Sequence, residues 1–463
     1  STSPLQPMMR QTPEPDAQTL SRMAAALAEV PRAAYSVPHV YPSAAPAYTE
    51  APMAERPHPP MSQMRLYVHV PYCRYHCTFC YSAVKVGADA AAMERYVGAL
   101  ERELEWAAPG TPLSQLFVGG GTPTALEPRF LDRMLRAVFA RTPPDGTGVH
   151  TVETSPETIS PEHIAVLRSH AIGRVSMGIQ SLDGDVLGTV HRAQTKSQAL
   201  ASCELLVDSG LILNIDLIYG LPHQTEESFL RDLRTIAALG VPSLTLYSLR
   251  SNERTPVRKS LTDEDRFDLP GLVRWRSFVK RAAEELGYTQ TRWHTFKRVD
   301  GIAARHERLP CFDDEMSGYQ LGIGMSARSH LGHTVFRNSD RMEEYLARVE
   351  RGESPVQQIF PLAEEDRMTQ LIARTLGDGK TLARRDYERS FGRPIEHDYG
   401  SLLANLTGAG LVDDDGATLA LSPLGGLVYD LVMLAFYPRR AREWLAAREG
   451  TAAFVRFEER AGA

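Results

Sequence analysis

Cysteine is scarce in this chain: five in 463 residues, an odd number, which excludes a disulfide framework and points to a reducing cytoplasm. Long apolar runs are missing too. No stretch approaches about 18 uninterrupted apolar residues, so no transmembrane helix is expected. The opening residues lack a basic segment followed by an apolar core, so no secretory signal is expected either. Charge of one sign is nowhere massed. Lys and Arg number 51 against 57 Asp and Glu, a net charge of −6, which points away from nucleic acid and from anionic membranes. What remains is an ordinary globular composition, 43% hydrophobic and 23% charged. The length suits about two or three domains, or one large α/β domain with appendages.

Proline is unevenly placed. Residues 1–60 hold 12 of the 31, including Pro4, Pro7, Pro13, Pro15, Pro57, Pro59 and Pro60. That density blocks helix and sheet hydrogen bonding and predicts a proline-rich arm, interrupted by one helix near Ala17–Val30. Over 61–260, β-rich runs at 66–70, 116–120, 151–154, 174–180, 213–220 and 243–249 alternate with amphipathic stretches. Strands joined in this way imply a parallel sheet with right-handed crossovers, hence an α/β fold built on a partial (β/α)6 barrel. Residues 261–360 continue as an α+β extension. Residues 361–463 read as a small helical domain with a winged-helix-like strand unit at Leu411–Leu421.

Ligands of such barrels sit at the C-terminal strand ends, and the unusual residues gather there. Cys73, Cys77 and Cys80 follow the first run at C-x3-C-x2-C spacing, while Cys203 and Cys311 stand apart. A loop with that spacing can wrap three thiolates around one metal centre. A [4Fe–4S] cluster with one iron left open suits three cysteines. Zinc, recruiting His76 or His69 as a fourth ligand, is the alternative, and three core cysteines a further one.

This arrangement resembles the radical S-adenosylmethionine (SAM) enzymes. The surrounding residues are similar to those of the oxygen-independent coproporphyrinogen III oxidase (HemN-like) family. Tyr67-Val-His69-Val-Pro71 precedes the cysteines, and Phe117-Val-Gly119-Gly120-Gly121-Thr122-Pro123-Thr124 closes the second strand. Glu153 to Pro156, Ser176-Met-Gly178-Ile-Gln180-Ser181, and His191-Arg192-Ala-Gln194 follow in the family's order. The longest match is Asn214-Ile-Asp216-Leu-Ile-Tyr219-Gly220-Leu-Pro222-His-Gln224-Thr225, and Gly322-Ile-Gly324-Met-Ser326-Ala327 is a weaker one. The likeness spans about residues 65–440.

The resemblance implies that Cys73, Cys77 and Cys80 hold a [4Fe–4S] cluster whose open iron chelates SAM. Reduction then cleaves the sulfonium C–S bond and yields a 5′-deoxyadenosyl radical. Gly119, Gly120, Gly121 and Thr122 would approach the methionine moiety, or simply make a tight strand-to-helix turn. Arg192 would pair with the SAM carboxylate. Glu153, Gln180 and Asp216 would take its amino group or ribose hydroxyls, unless they only cap strand ends. Tyr67 would pack beside SAM or fill the barrel.

Two departures bear on the substrate. The coproporphyrinogen enzyme's pattern has a fourth cysteine two residues after the third, where this chain has Ser82. Tyr288-Thr-Gln-Thr-Arg292-Trp293-His294 replaces a Tyr-Glu-x-Ser-Asn run. Trp293 could stack on a flat substrate or be a buried core residue, and His294 could ligate heme; with Tyr67 they are the candidate catalytic residues. The departures point towards the class C methyltransferases and cyclopropane-forming enzymes, and a methyl- or methylene-transferase acting on a natural-product intermediate is expected. Those enzymes use two SAM molecules, and Tyr247 and Ile323 either contact the second or simply pack at strand ends. A small-molecule substrate, an electron donor such as flavodoxin or ferredoxin, and an accompanying methyltransferase would be the partners. The alternatives are a heme chaperone, an anaerobic heme-degrading protein, or coproporphyrinogen oxidation.

Overall fold

A computed structural model describes residues 14–30, 49–50, 63–251, 255–261, 267–298, 319–447 and 455–456. Its frame is six parallel strands in chain order: β1 (Met64–Val70), β2 (Leu113–Gly120), β3 (His150–Thr154), β4 (Ile172–Gln180), β5 (Ile212–Tyr219) and β6 (Ser243–Ser248). Helices α1 (Ala90–Leu104), α2 (Pro128–Arg141), α3 (Pro161–Ser169), α4 (Lys196–Val207) and α5 (Glu226–Ala238) return the chain between them. The expected partial barrel is therefore present.

The local chemistry accounts for these elements. Asp89 caps α1 by accepting from Ala92 N at 2.8 Å. Met93, Tyr96, Val97, Leu100 and Leu104 then form its buried stripe at helical spacing. Thr225 and Ser228 close a capping box on α5. Along β4, Val175, Met177 and Ile179 join the apolar core, whereas Ser176, Gly178 and Gln180 line a cleft on the other side. β5 repeats this, with Leu213, Ile215 and Leu217 in the core and Asp216 in the cleft. Period-two alternation thus separates a greasy outer face from a polar lumen.

The α+β extension is not a separate layer. Tyr319–Ile323 pairs parallel with β1, and Arg328–Leu331, Thr334–Asn338 and Val356–Pro361 continue antiparallel beyond it. At the other edge Thr295–Arg298 and Tyr288–Arg292 add antiparallel to β6. The result is one sheet of 13 strands. Of the proline-rich arm, Ala17–Ala26 is a helix with Met23 buried, followed by the buried Leu27 and Val30, and Thr49–Glu50 is an edge strand on Val356–Pro361. The rest of that arm lies outside the described residues.

Helix α6 (Leu269–Glu285) backs the β6 edge, and the C-terminal segment packs on it. There Arg384–Phe391, Ile395–Gly408 and a hairpin of Val412–Asp414 with Thr418–Leu421 form the winged-helix-like unit. A buried ion pair locks the junction. Arg276 of α6 donates to both carboxylate oxygens of Asp430, at 2.8 and 2.7 Å, and to Leu427 O at 2.9 Å. This bidentate geometry satisfies two charges out of water and holds the Asp430 carboxyl below its ordinary range despite burial.

Candidate active site

Backbone contacts fix the cysteine loop on the sheet. Gly121 N donates to Val70 O and Thr122 N to Tyr72 O, both at 2.7 Å, so the end of β2 grips the strand leading to Cys73. Lys85 N meets Pro71 O at 2.7 Å and Gly87 N meets Cys73 O at 3.0 Å, closing the loop from the far side. A Cβ on Gly121 would stand 2.7 Å from the Pro71 carbonyl carbon, so this close approach needs glycine. Gly119 and Gly120 likewise leave room for side chains, of Glu153 and His69 respectively. The glycines thus let protein pack on protein, while Gly120, Gly121 and Thr122 still line the cleft.

The three thiols stand in that cleft. Cys73 Sγ lies 3.5 Å from Thr122 Oγ1, and Cys77 Sγ 3.5 Å from Arg192 Nη1. Ser82, at the place of the family's fourth cysteine, faces the Cys80 sulfur with its N–H and hydroxyl. Burial pushes the Cys73 thiol up to about 11 and raises Cys77 and Cys80, so these thiols give up their protons only to a bound cation. Among the described residues no three His, Cys, Asp or Glu side chains converge on one ion. Three thiolates suit a [4Fe–4S] cluster, in which each ligates its own iron. Cys203 is a fully buried core residue of α4, and Cys311 lies outside the described residues.

Arg192 is the hinge of the site. Its Nε donates to Gln194 Oε1 at 2.8 Å, its Nη2 to Gly178 O, and its Nη1 points at Cys77. Gln194 in turn donates to Ile179 O at 2.7 Å, fixing the fork against β4. Gln180 ends β4 in a left-handed conformation, φ 70°, costly for a residue with a Cβ. Its Oε1 is buried in the cleft without a hydrogen-bond partner. A strained residue carrying an unpaired acceptor beside three thiols is the mark of a ligand site.

The carboxylates form the lumen wall. Burial pushes Glu153 up to about 8, with Asp216 adding to the push and the Gly120 N–H opposing it. Burial also lifts Asp216 to about 6, against Arg174, Thr245, Asn214 and Ser176. Asn214 Nδ2 donates to Asp216 Oδ1 at 2.7 Å, and its own Oδ1 accepts from Ser243 Oγ at 2.7 Å. Arg174, Ser176 and Asn214 were not picked out from the sequence as site residues. Their signal was the alternation of polar residues along β4 and β5, in step with Gln180 and Asp216.

Other expected residues fall differently. Tyr67 fills the barrel floor, stacked on Phe117 with centroids 6.2 Å apart and its hydroxyl 3.1 Å from His69 Nδ1. Trp293 is not brought to the cysteine cleft. Its Nε1 donates to Leu376 O at 3.0 Å and its ring packs against Gly426 and Tyr429, so it is a packing residue of the C-terminal junction. Ile323, a candidate contact of the second SAM, turns its side chain into the core at 1% exposure. Tyr247 and His294 stand at the end of β6, stacked with centroids 5.3 Å apart and Tyr247 41% exposed.

Three thiols on a glycine-gripped loop, at the C-terminal end of parallel strands and beside an arginine and two carboxyls, define a radical SAM domain. The radical SAM superfamily model matches residues 67–236, and the cofactors of that superfamily are a [4Fe–4S] cluster and SAM. Over most of its length the chain is similar to the oxygen-independent coproporphyrinogen III oxidase of Escherichia coli, 27% identical over 402 residues, covering 83% of this chain and 87% of that protein. It is similar also to the heme chaperone HemW of Bacillus subtilis, 24% identical over 378 residues, covering 80% of this chain and 98% of that one. The structure of coproporphyrinogen III oxidase (HemN) from Escherichia coli, a radical SAM enzyme, matches with a TM-score of 0.72 at 25% identity, over 82% of this chain and 91% of that one. These likenesses overturn the expected methyl- or methylene-transferase acting on a natural-product intermediate. They leave an accompanying methyltransferase without a reason. Nothing among the described helices is long and apolar enough to cross a membrane.

Proposed function

We propose that this chain is a radical SAM enzyme acting on a tetrapyrrole of the coproporphyrinogen kind. The observation that carries this reading is that the likeness to HemN covers 82% of this chain, well beyond the radical SAM match over residues 67–236. In this reading Cys73, Cys77 and Cys80 hold the cluster, which supplies the electron that cleaves SAM reductively. Arg192, oriented by Gln194 and Gly178 O, presents a guanidinium to the SAM carboxylate. Gln180 offers its unpaired Oε1 to the amino group. Asp216 and Glu153, beside Ser176 and Asn214, receive ribose hydroxyls, and their raised pKa values let either act as donor or acceptor. Gly120, Gly121 and Thr122 form the backbone wall beside the methionine. A ferredoxin or flavodoxin would deliver the electron.

A heme chaperone is the second reading, favoured by Ser82 in place of the fourth cysteine and by the match along nearly all of HemW. Anaerobic reconstitution with reductant, SAM, coproporphyrinogen III and an added one-electron acceptor, which takes the electron left on the substrate radical as CO2 departs, separates the two. Decarboxylated porphyrinogen and matching 5′-deoxyadenosine are expected of the enzyme, and both vanish with the iron absorbance in Cys77→Ala. Hemin bound tightly, with no porphyrinogen turned over, would move the assignment to the chaperone. If the reconstituted protein neither binds hemin nor turns over porphyrinogen, both readings fail.

A further inference from the structure

Four rings stand in file from the C-terminal junction to the barrel mouth. Trp293 stacks on Tyr429 with centroids 6.2 Å apart, Tyr429 meets His294 at 6.4 Å, and His294 stacks on Tyr247 at 5.3 Å. The root of the file is fixed by the indole bond to Leu376 O, while its tip, Tyr247, is 41% exposed. His294 covers one face of Tyr247, so the exposed part is the opposite face and the rim. Tyr81, next after the last cysteine, is a second exposed aromatic, at 49%. Large aromatics exposed together on a soluble chain mark a surface made for a ligand. The flat, rigid face of a stacked tyrosine suits a planar π-system.

Charge at the same place narrows the ligand. Arg250 follows β6, and among the described residues it donates from Nη2 to Tyr429 Oη at 3.3 Å and to Asp430 Oδ2 at 3.5 Å. Asp430 is already held by Arg276 at shorter range, and among the described residues Nε and Nη1 of Arg250 meet no acceptor. Its side chain is 19% exposed at the rim. A guanidinium with spare donors beside an open aromatic face recognises a flat ring that carries a carboxylate.

We infer that Tyr247, backed by His294 and Tyr429, is the platform on which the tetrapyrrole ring lies, and that Arg250 pairs with one of its carboxylate side chains. This rests on the tetrapyrrole reading given above. The probes are coproporphyrin III and its tetramethyl ester, titrated by Soret shift into the full-length reconstituted protein. The acid is expected to bind more tightly than the ester. Arg250→Gln should weaken the acid about tenfold or more and leave the ester little changed, since a hydrogen bond to a charged group is lost. Arg250→Lys should recover part of that loss. Tyr247→Ala, at an exposed position, should weaken acid and ester alike. Melting temperature and iron content establish that each variant is folded. Wild-type affinity for the acid in both Arg250→Gln and Tyr247→Ala would overturn the inference and leave the tetrapyrrole reading standing. A wild-type protein that binds neither porphyrin would overturn both.

Discussion

Gly121 shows how little freedom the cysteine loop has. A methyl group there would press on backbone, which cannot swing aside as a flexible side chain can. Gly121→Ala should therefore cost about 1–3 kcal/mol, as overpacked sites do, and lower the iron bound per chain. Gly184→Ala, where a Cβ meets nothing within 4 Å, should leave iron content unchanged. A melting curve and an iron assay check both. Glu153 carries a second prediction. Its carboxyl, raised to about 8 from 4.5, binds a proton in the folded state that the unfolded chain releases. The stability it contributes is complete below about 4.5 and is lost as pH climbs through about 8. Glu153→Gln in the cluster-free protein should flatten the dependence of melting temperature on pH across that window. An unchanged slope would mean that Glu153 titrates elsewhere. At this scale the sequence was informative about what is chemically rare: three spaced cysteines, a glycine run, an arginine in a family motif. It left Trp293 open between substrate stacking and core packing, because nothing local says that its indole nitrogen will meet Leu376 O, 83 residues away.

Among the elements, β1 to β6 and the helices between them were legible because short apolar runs alternate with longer stretches opened by helix caps such as Asp89, Thr195 and Thr225. The polar ladders at the sheet edges were not. Tyr288–Arg292 and Thr295–Arg298 are short, rich in threonine and charge, and exist as strands because β6 offers them an edge. The same holds for Tyr319–Ile323, whose parallel pairing with β1 joins segments some 250 residues apart and leaves no local trace. Where elements meet, buried charge decides the outcome. Asp430→Ala would strand Arg276, whose guanidinium is only 6% exposed, and breaking such a pair costs about 3–5 kcal/mol. Calorimetry should show the melting temperature fall, with a smaller fall for Asp430→Asn, which keeps one acceptor. An equal fall in the two variants would assign the junction's strength to packing rather than to the carboxylate.

For the molecule as a whole, distant segments are tied together by few groups. Glu103 of α1 is fully buried and accepts from Gly324 N, Asn338 Nδ2 and Tyr345 Oη, each at 2.7 Å. One carboxylate thus binds a barrel helix to three parts of the extension. At the other end, the helix Ala17–Ala26 lays Met23 against the core, and Asn405 Nδ2 donates to Ala26 O at 3.1 Å. Composition marked this region as a proline-rich arm, and its helix was read correctly from the sequence, but its burial depends on partners about 380 residues away. Met23→Ala should cost about 2–5 kcal/mol, the range for a buried methionine. A melting temperature within a degree of wild type would show that the helix is not part of the cooperative fold.

The carboxylate of Asp430 has two masters, one arginine that buttresses the barrel from behind and one at its rim. A chimera that exchanged the C-terminal segment for a relative's would therefore reset the charge at the mouth in the same stroke. Segment and barrel are obliged to diverge together, and recombination between them should yield folded proteins only when the two arginines and their shared acid travel as a set.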